Sequence, residues 1–409
     1  MLSVNGARLR ADLEALGRIG GAPGRGVSRP SYSTVDAQAR TWYLDRCAEA
    51  GLSVEVDGVG NMVVSAPGSP AGPAVWSGSH LDSVPHGGRF DGALGTLAAL
   101  ECLRRLAEEQ VSLNRPVRAV VYADEEGNYG HLFGSSALAR GYTTAYLETL
   151  TGRDGDRFVD TFVAAGWDLA RATQTTVDAA TIHSTVELHI EQGPSLERLG
   201  HQIGVVTAIV GLGGGVITFR GRADHAGTTP MTMRKDALAG AGALIVRFPE
   251  IARSVGDRAV VTAGLITVEP GAANVVPAIA RLTVDFRDLD PDRLAALSRA
   301  ITTAAESVAT AYGLDVDVDF EPAIAPVLMD SGIQQVITAS AAARGLVASA
   351  MPSGAGHDSQ NMATLAPTGM IFVPSIGGRS HCPEEETSWE DVENGANVLL
   401  DTLVSLAGT

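Results

Sequence analysis

Cysteine is scarce: Cys47, Cys102 and Cys382 are the only three, far apart and odd in number. Neither a disulfide framework nor a paired-cysteine zinc knuckle can be built from such a set, and a reducing cytoplasm is the expected location. Aromatic residues make up only 5% of the chain, so its cores must be filled by Ala, Val, Leu and Ile. Positive charge is short as well. Lys and Arg number 30 against 47 for Asp and Glu, a formal net charge of −17, and no basic cluster stands out, which argues against a nucleic-acid partner. Long apolar runs are also missing. None reaches the roughly 18–20 residues that cross a membrane, and Arg8, Arg10, Asp12 and Glu14 interrupt any candidate signal core. A soluble protein with no membrane partner is expected.

What is present is a chain of 409 residues, 45% hydrophobic and 19% charged, with 47 glycines. This is globular composition, long enough for about two or three domains, and it fits a mixed α/β chain. Helical spacing of apolar residues covers 8–17 and 34–50. Short β-rich runs follow at 52–56, 61–66 and 74–79, then a helix at 92–107 and a strand at 117–123. Residues 141–180 are poorly legible, and a strand at 184–190 restores order. From Gly204 the pattern becomes strand 215–220, helix 235–248, strands 259–267 and 280–286, helix 291–311 and strand 314–320. This βαββαβ order is a split βαβ unit, and about 120 residues suffice for a core of its own. The expected fold is therefore α/β. A mixed-sheet main domain (1–203 and 325–409) carries helices on both faces and is interrupted by an inserted α+β domain (204–324). The Gly211–Gly215 cluster precedes a strand rather than a helix, so it is a poor match to a dinucleotide fingerprint.

The polar residues fall at strand ends. The run to Ser79 continues into His80-Leu81-Asp82, Asp91-Gly92 opens a helix, and the strand at 117–123 leads into Asp124-Glu125-Glu126. Glu187 and His189 share one face of the strand at 184–190, and residues 368–374 lead into Ser380-His381. Carboxyl ends of parallel strands face one crevice, so four segments deliver imidazoles and carboxylates to one place. Converging carboxylates repel unless cations neutralise them, and this ligand set suits zinc and its first-row neighbours. Two divalent cations about 3.5–4 Å apart, bridged by a carboxylate, explain the set most economically; Asp91 is placed to bridge. The ligand types do not choose among Zn, Mn, Co and Ni.

Several segments together resemble one known family, the hydantoinase/carbamoylase branch of the M20 metallopeptidase-type amidohydrolases. They are Gly78–Val84, Gly87–Gly92, Asp124–Gly127, His189–Pro194, Asp224–Met231, Asn274–Pro277, Asp285–Arg287, Gly354–Asp358 and Ser380-His381, in order over nearly the whole chain. The resemblance implies His80, Asp91, Glu126, His189 and His381 as ligands of two metal ions, Glu125 as general base, and Asp82 as the carboxylate that orients His80. It also implies that the inserted domain is a lid and dimerisation domain. His225 would donate to the oxyanion, and Asn274 and Arg287 would hold the substrate's carboxylate. In such enzymes this trio can come from the partner subunit of a homodimer. Gln192, Gly356 and His357 would contact the substrate. Arg suits its part because its planar fork pairs with a carboxylate in two parallel bonds. A site shared between two domains would work by closure, with hinges near 200–204 and 322–326.

The chemistry expected is hydrolysis of the carbamoyl C–N bond of an N-carbamoyl-L-amino acid, a small ureido acid, to ammonia, carbon dioxide and the amino acid. Ureido carbons are poor electrophiles, so the reaction needs an activated water, a polarised carbonyl and a proton for the departing nitrogen. Allantoate, ureidoglycolate or N-carbamoyl-β-alanine would be handled by the same chemistry. A metal-dependent ureide-binding protein without turnover is the reading from another class, and Glu125 argues against it, because binding alone needs no base. Two departures bear on the substrate. The loop from Gly127 to Phe133 is shorter than is usual in this branch and lacks its Arg-Phe pair, and Arg379 and Cys382 flank Ser380-His381.

Overall fold

A computed structural model describes residues 1–408. The chain divides into two compact units: Met1–Thr207 with the chain from Leu328, and Ala208–Val327.

The first unit is built on a nine-stranded mixed sheet. Four parallel strands form its centre: β1 (Ala74–His80), β2 (Val117–Tyr122), β3 (Ile182–Ile190) and β4 (Thr368–Val373), in the order β4-β3-β1-β2. β1 and β4 are buried at every position, as strands covered on both faces must be. Alternate residues enter different cores. Val75, Ala119, Val121, Val186 and Leu188 pack with helix α1 (Ala93–Glu108) and the helix Trp389–Ala407. Ala74, Trp76, Val120 and Tyr122 meet Leu138 and Met362. The expected α/β architecture with a mixed central sheet holds. Among the described residues no helix is long and apolar enough to cross a membrane.

The second unit has a four-stranded antiparallel sheet in the order Val260–Glu269, Ile279–Asp288, Gly211–Arg220, Asp315–Phe320. The Ile279–Asp288 strand alternates half-buried and buried residues. Ala280, Leu282, Val284 and Phe286 pack with Leu297, Ile301 and Val308 of the helix Pro291–Tyr312.

Three details differ from the sequence reading. The strand Ile203–Ile209 pairs with β4 through Val205 and Gly204, so the division falls at Ala208 and Leu328 rather than at 204 and 325. The helix expected at 235–248 is two, Ala237–Ile245 and Phe248–Val255. Pro249, in the first turn of the second, has no N–H with which to continue the first. Residues 141–180 form short helices at Thr144–Leu147, Phe158–Ala164 and Leu169–Ala172. A cluster of Tyr32, Tyr129 and Phe133 with Leu147, Phe158, Phe162 and Ala172 holds all three in place; isolated helices of one or two turns would not persist in water.

Candidate metal centre

The parallel strands align their carboxyl ends: His80 ends β1 opposite Tyr122 of β2, and His189 of β3 lies opposite Phe372 of β4. Nδ1 of His80 lies 3.1 Å from the main-chain oxygen of Asp82, and Nδ1 of His189 lies 2.9 Å from that of Ile190. A carbonyl oxygen only accepts, so both rings carry a proton on Nδ1, and Nε2 is the inward-facing atom that can ligate once it is unprotonated. Both rings are buried.

Asp91 sits between two sets of groups. Its Oδ1 is 3.1 Å from Nε2 of His189 and 3.8 Å from Nε2 of His80. Its Oδ2 is 3.1 Å from Nε2 of His381, which lies 3.6 Å from Oε2 of Glu126. Donor atoms of His80, Asp91 and His189 lie within 4.8 Å of one another, as do those of Asp91, Glu126 and His381. Glycine at 92 is required: φ is +64°, and a Cβ would come within 2.4 Å of the His80 ring. The carboxylate of Glu125 is buried, 3.4 Å from Nε2 of His80.

Burial and the charge of Glu126 hold Glu125 well above the ordinary carboxylate range, and burial with Asp91 pushes Glu126 up to about 8. Burial lowers His80 to about 4. Burial also opposes charge on His189, but its bond to Asp91 lifts it to about 9. The bond to Asp91 likewise lifts His381 to about 9. Burial opposes ionisation of Asp91 itself, yet those two histidines hold it well below its usual range. Buried carboxylates that burial and mutual repulsion push toward the neutral form are the kind that divalent cations neutralise, and the donor set fits two such ions.

A third group, Glu187, His189 and His357, is equally close. There Glu187 accepts from Ser79 Oγ and Ser359 Oγ, both at 2.7 Å. Nε2 of His357 meets Ser353 Oγ at 2.9 Å, with its ring 4.6 Å from that of His189. This group backs the centre as a hydrogen-bonded wall.

Residues 76–405 match the model of the peptidase family M20/M25/M40. The chain belongs to that family. An N-carbamoyl-L-amino acid amidohydrolase of Geobacillus stearothermophilus is 37% identical over 410 residues, 99% of each chain. The allantoate amidohydrolase of Escherichia coli strain K12 is 34% identical over 96% of each. A crystal structure of an amidase of the hydantoinase/carbamoylase family from Burkholderia vietnamiensis superposes with a TM-score of 0.91 at 35% identity, covering 99% of this chain and 98% of that one. The resemblance drawn from the motifs holds, and with it the expectation of an amidohydrolase.

For this M20 chain one expected contact needs correcting. The carboxylate of Asp82 does not take the ring proton of His80: Oδ1 stands 3.6 Å from Nδ1, while the main-chain oxygen of Asp82 is nearer. The carboxylate instead accepts from the amides of Glu126 at 3.0 Å and Glu125 at 3.4 Å. Asp82 therefore orients the acidic loop as well as His80. Gln192 adopts a φ of +58° and donates from Nε2 to Asp91 Oδ2 at 2.9 Å. Its Oε1 is buried without a protein partner, an acceptor suited to a substrate N–H. Gly356 precedes His357 in a turn closed by Ser353 Oγ on the Ala355 carbonyl, 2.9 Å away. Arg379 pairs with Glu384 at 2.9 Å on the surface, and Cys382 is a partly buried free thiol.

In the second unit the strand Asp224–His225 pairs with Val275–Val276, and the amide of Ala226 donates to the Asn274 carbonyl at 2.9 Å, so His225 and Asn274 are neighbours in the fold. Nδ1 of His225 accepts from the amides of Gly227 at 3.0 Å and Thr228 at 3.2 Å, which leaves the proton on Nε2, the tautomer an oxyanion donor needs. Arg287 is not with them. It lies at the far end of the Ile279–Asp288 strand, roughly 25 Å away at the rise of an antiparallel strand, with Nε 2.9 Å from Asp285 Oδ1.

Residue types and spacing gave no hint of Arg29 and Asn61, and showed Asp124 only as a member of the acidic run. Arg29 is buried, donates to the carbonyls of Leu81 at 2.5 Å, Ile19 at 2.7 Å and Leu16 at 3.1 Å, and its own amide donates to Ser83 Oγ at 3.0 Å. It thus clamps the loop that carries Asp82. Asp124, at φ +53°, accepts from the amides of Asn128, Tyr129 and Gly130 and shapes the turn after Glu126. Asn61 accepts from the Ala123 amide at 2.9 Å and donates to Gly134. Arg29 and Asn61 act on main-chain groups distant in sequence, which local spacing does not reveal, whereas Asp124 acts on the amides of the turn that follows it.

Proposed function

We propose that this protein hydrolyses the carbamoyl C–N bond of an N-carbamoyl-L-amino acid, releasing ammonia, carbon dioxide and the amino acid. The observation that carries the reading is Asp91, whose two oxygens face two separate ligand groups while a buried Glu125 stands beside them. His80, Asp91 and His189 would hold one divalent cation, and Asp91, Glu126 and His381 a second. When bound, the cations polarise the substrate carbonyl and make water acidic enough to react at neutral pH.

The chain's own groups supply the rest. Glu125, kept above the ordinary carboxylate range by burial and by Glu126, takes a proton from the attacking water and returns it to the leaving nitrogen. Gln192 Oε1, buried and unpartnered by protein, accepts from a ureido N–H. His225 donates from Nε2 to the oxyanion, Asn274 and Arg287 hold the carboxylate, and Gly356 and His357 line the substrate's path. One small ureido acid cannot reach Arg287 and the His225–Asn274 pair on the same copy across roughly 25 Å, which supports a homodimer whose inserted units serve more than one centre. We also take the protein to act in the cytoplasm.

Allantoate is the second reading, favoured by the allantoate amidohydrolase among the relatives. Ammonia release from N-carbamoyl-L-amino acids, allantoate, ureidoglycolate and N-carbamoyl-β-alanine, with each metal restored to stripped enzyme, tests both. The proposal requires the highest kcat/KM on an N-carbamoyl-L-amino acid and fails if none of these compounds releases ammonia.

A further inference from the structure

Glu385 is a buried carboxylate with no role in the chemistry above. Its Oε1 accepts from two successive amides, Phe90 at 2.9 Å and Asp91 at 3.1 Å. Its Oε2 accepts from Ser380 Oγ at 2.8 Å, and that hydroxyl is also 3.3 Å from Asp91 Oδ2. One side chain therefore grips the main chain of Asp91 and the residue immediately before His381, although the two loops are nearly three hundred residues apart in the chain. The approach is close enough to demand glycine at 88, where a Cβ would fall 1.9 Å from Oε1 of Glu385. Outside this contact, Arg89 pairs with Glu386 at 2.6 Å and ties the same two loops again.

The three histidines are secured differently. His80 and His189 are each held by a ring N–H on a main-chain carbonyl close by in sequence. His381 has a φ of +56° and a side chain 51% exposed, and its loop is fastened through Ser380 to Glu385.

We propose that Glu385 is a positioning residue for the second cation. By holding the Asp91 amide and the Ser380 hydroxyl together it aims Asp91 Oδ2 and His381 at one point. This rests on the reading that the centre takes two divalent cations. Glu385→Ala removes the grip on both loops. Glu385→Gln keeps one oxygen for the two amides and presents an amide N–H to Ser380 Oγ, which can then turn its own proton to Asp91.

The test is calorimetric titration of the stripped full-length chain with Mn(II), run on wild type and both variants beside their thermal unfolding, so that metal affinity is read without substrate. Glu385→Ala should weaken the second binding step by about 10- to 100-fold, the usual scale for groups that orient ligands, and leave the first within about threefold. Glu385→Gln should retain both steps. Wild-type affinities in Glu385→Ala overturn the proposal, as does equal weakening of both steps with a matching fall in melting temperature, which would mark a general structural prop. A Gln variant as weak as Ala also overturns it. A wild type that binds a single Mn(II) overturns the two-cation reading itself and the proposal with it, whereas failure of every ureido substrate with two Mn(II) bound would count against the function alone.

Discussion

Metal uptake by this protein should compete with protons, and the two ligand groups should do so to different degrees. The perturbation is pH. In the first group His80 is held neutral by burial at about 4, whereas His189 is raised to about 9 against its burial by Asp91. One proton must leave before His189 can ligate. In the second group His381 is raised to about 9 by Asp91, and Glu126 is pushed to about 8 by burial and Asp91, so two protons must leave. Each proton displaced below its pKa makes affinity rise about tenfold per pH unit. Between about pH 6 and pH 8 the first site should therefore gain about tenfold per unit and the second about a hundredfold. Calorimetric titration in buffers of different ionisation heats counts the protons directly. The metal-free protein should show the opposite trend in stability. His189, raised in the folded state above its ordinary 6.5, contributes its full stabilisation below about 6.5 and loses it as pH climbs through about 9. A metal affinity independent of pH, or two sites with equal slopes, would refute the assignment of ligands to the two groups.

Other substitutions test separate parts of the argument. Gly92→Ala places a methyl against the His80 ring at a positive φ and should abolish metal retention, measured as bound metal after dialysis; full occupancy would contradict the packing. Glu125→Gln should lower kcat by about 10²- to 10⁴-fold while both cations stay bound, and a rate near wild type would remove Glu125 as the base. Arg29→Met leaves three carbonyls of the Leu16, Ile19 and Leu81 region without their donor and should cost about 3 kcal/mol or more in urea unfolding. An unchanged midpoint would show that water replaces the guanidinium. His225→Ala should lower kcat by about 10²- to 10³-fold, with Gln, which keeps an N–H, recovering part of it; loss confined to KM would point to binding rather than oxyanion support.

Much of the centre was legible because its chemistry is carried by residue type. Imidazoles and carboxylates at the ends of β-runs, in a chain poor in Cys and in basic clusters, signal a cation site before any coordinates, and the parallel register of β1 to β4 brings those ends together. The motif segments named the family for the same reason. Residues 141–180 were silent because their short helices exist only while Phe158 and Phe162 pack on Tyr32 and Phe133, a long-range condition that periodicity does not encode. The break at Pro249 was readable in principle, since proline cannot donate into the preceding helix, but the apolar spacing runs across it.

The sequence by itself determined most of the elements, the class of chemistry and the list of ionisable groups, since these follow from local periodicity and from what each side chain can bind. Tertiary structure decided the tautomers of His80, His189 and His225, the turn of the Asp82 carboxylate toward the amides of Glu125 and Glu126 instead of His80, the separation of Arg287 from His225, and the grip of Glu385 on Asp91. The separation of Arg287 follows from the length of its strand; the others depend on main-chain donors and acceptors, which every residue carries alike and which only folding brings to a particular side chain.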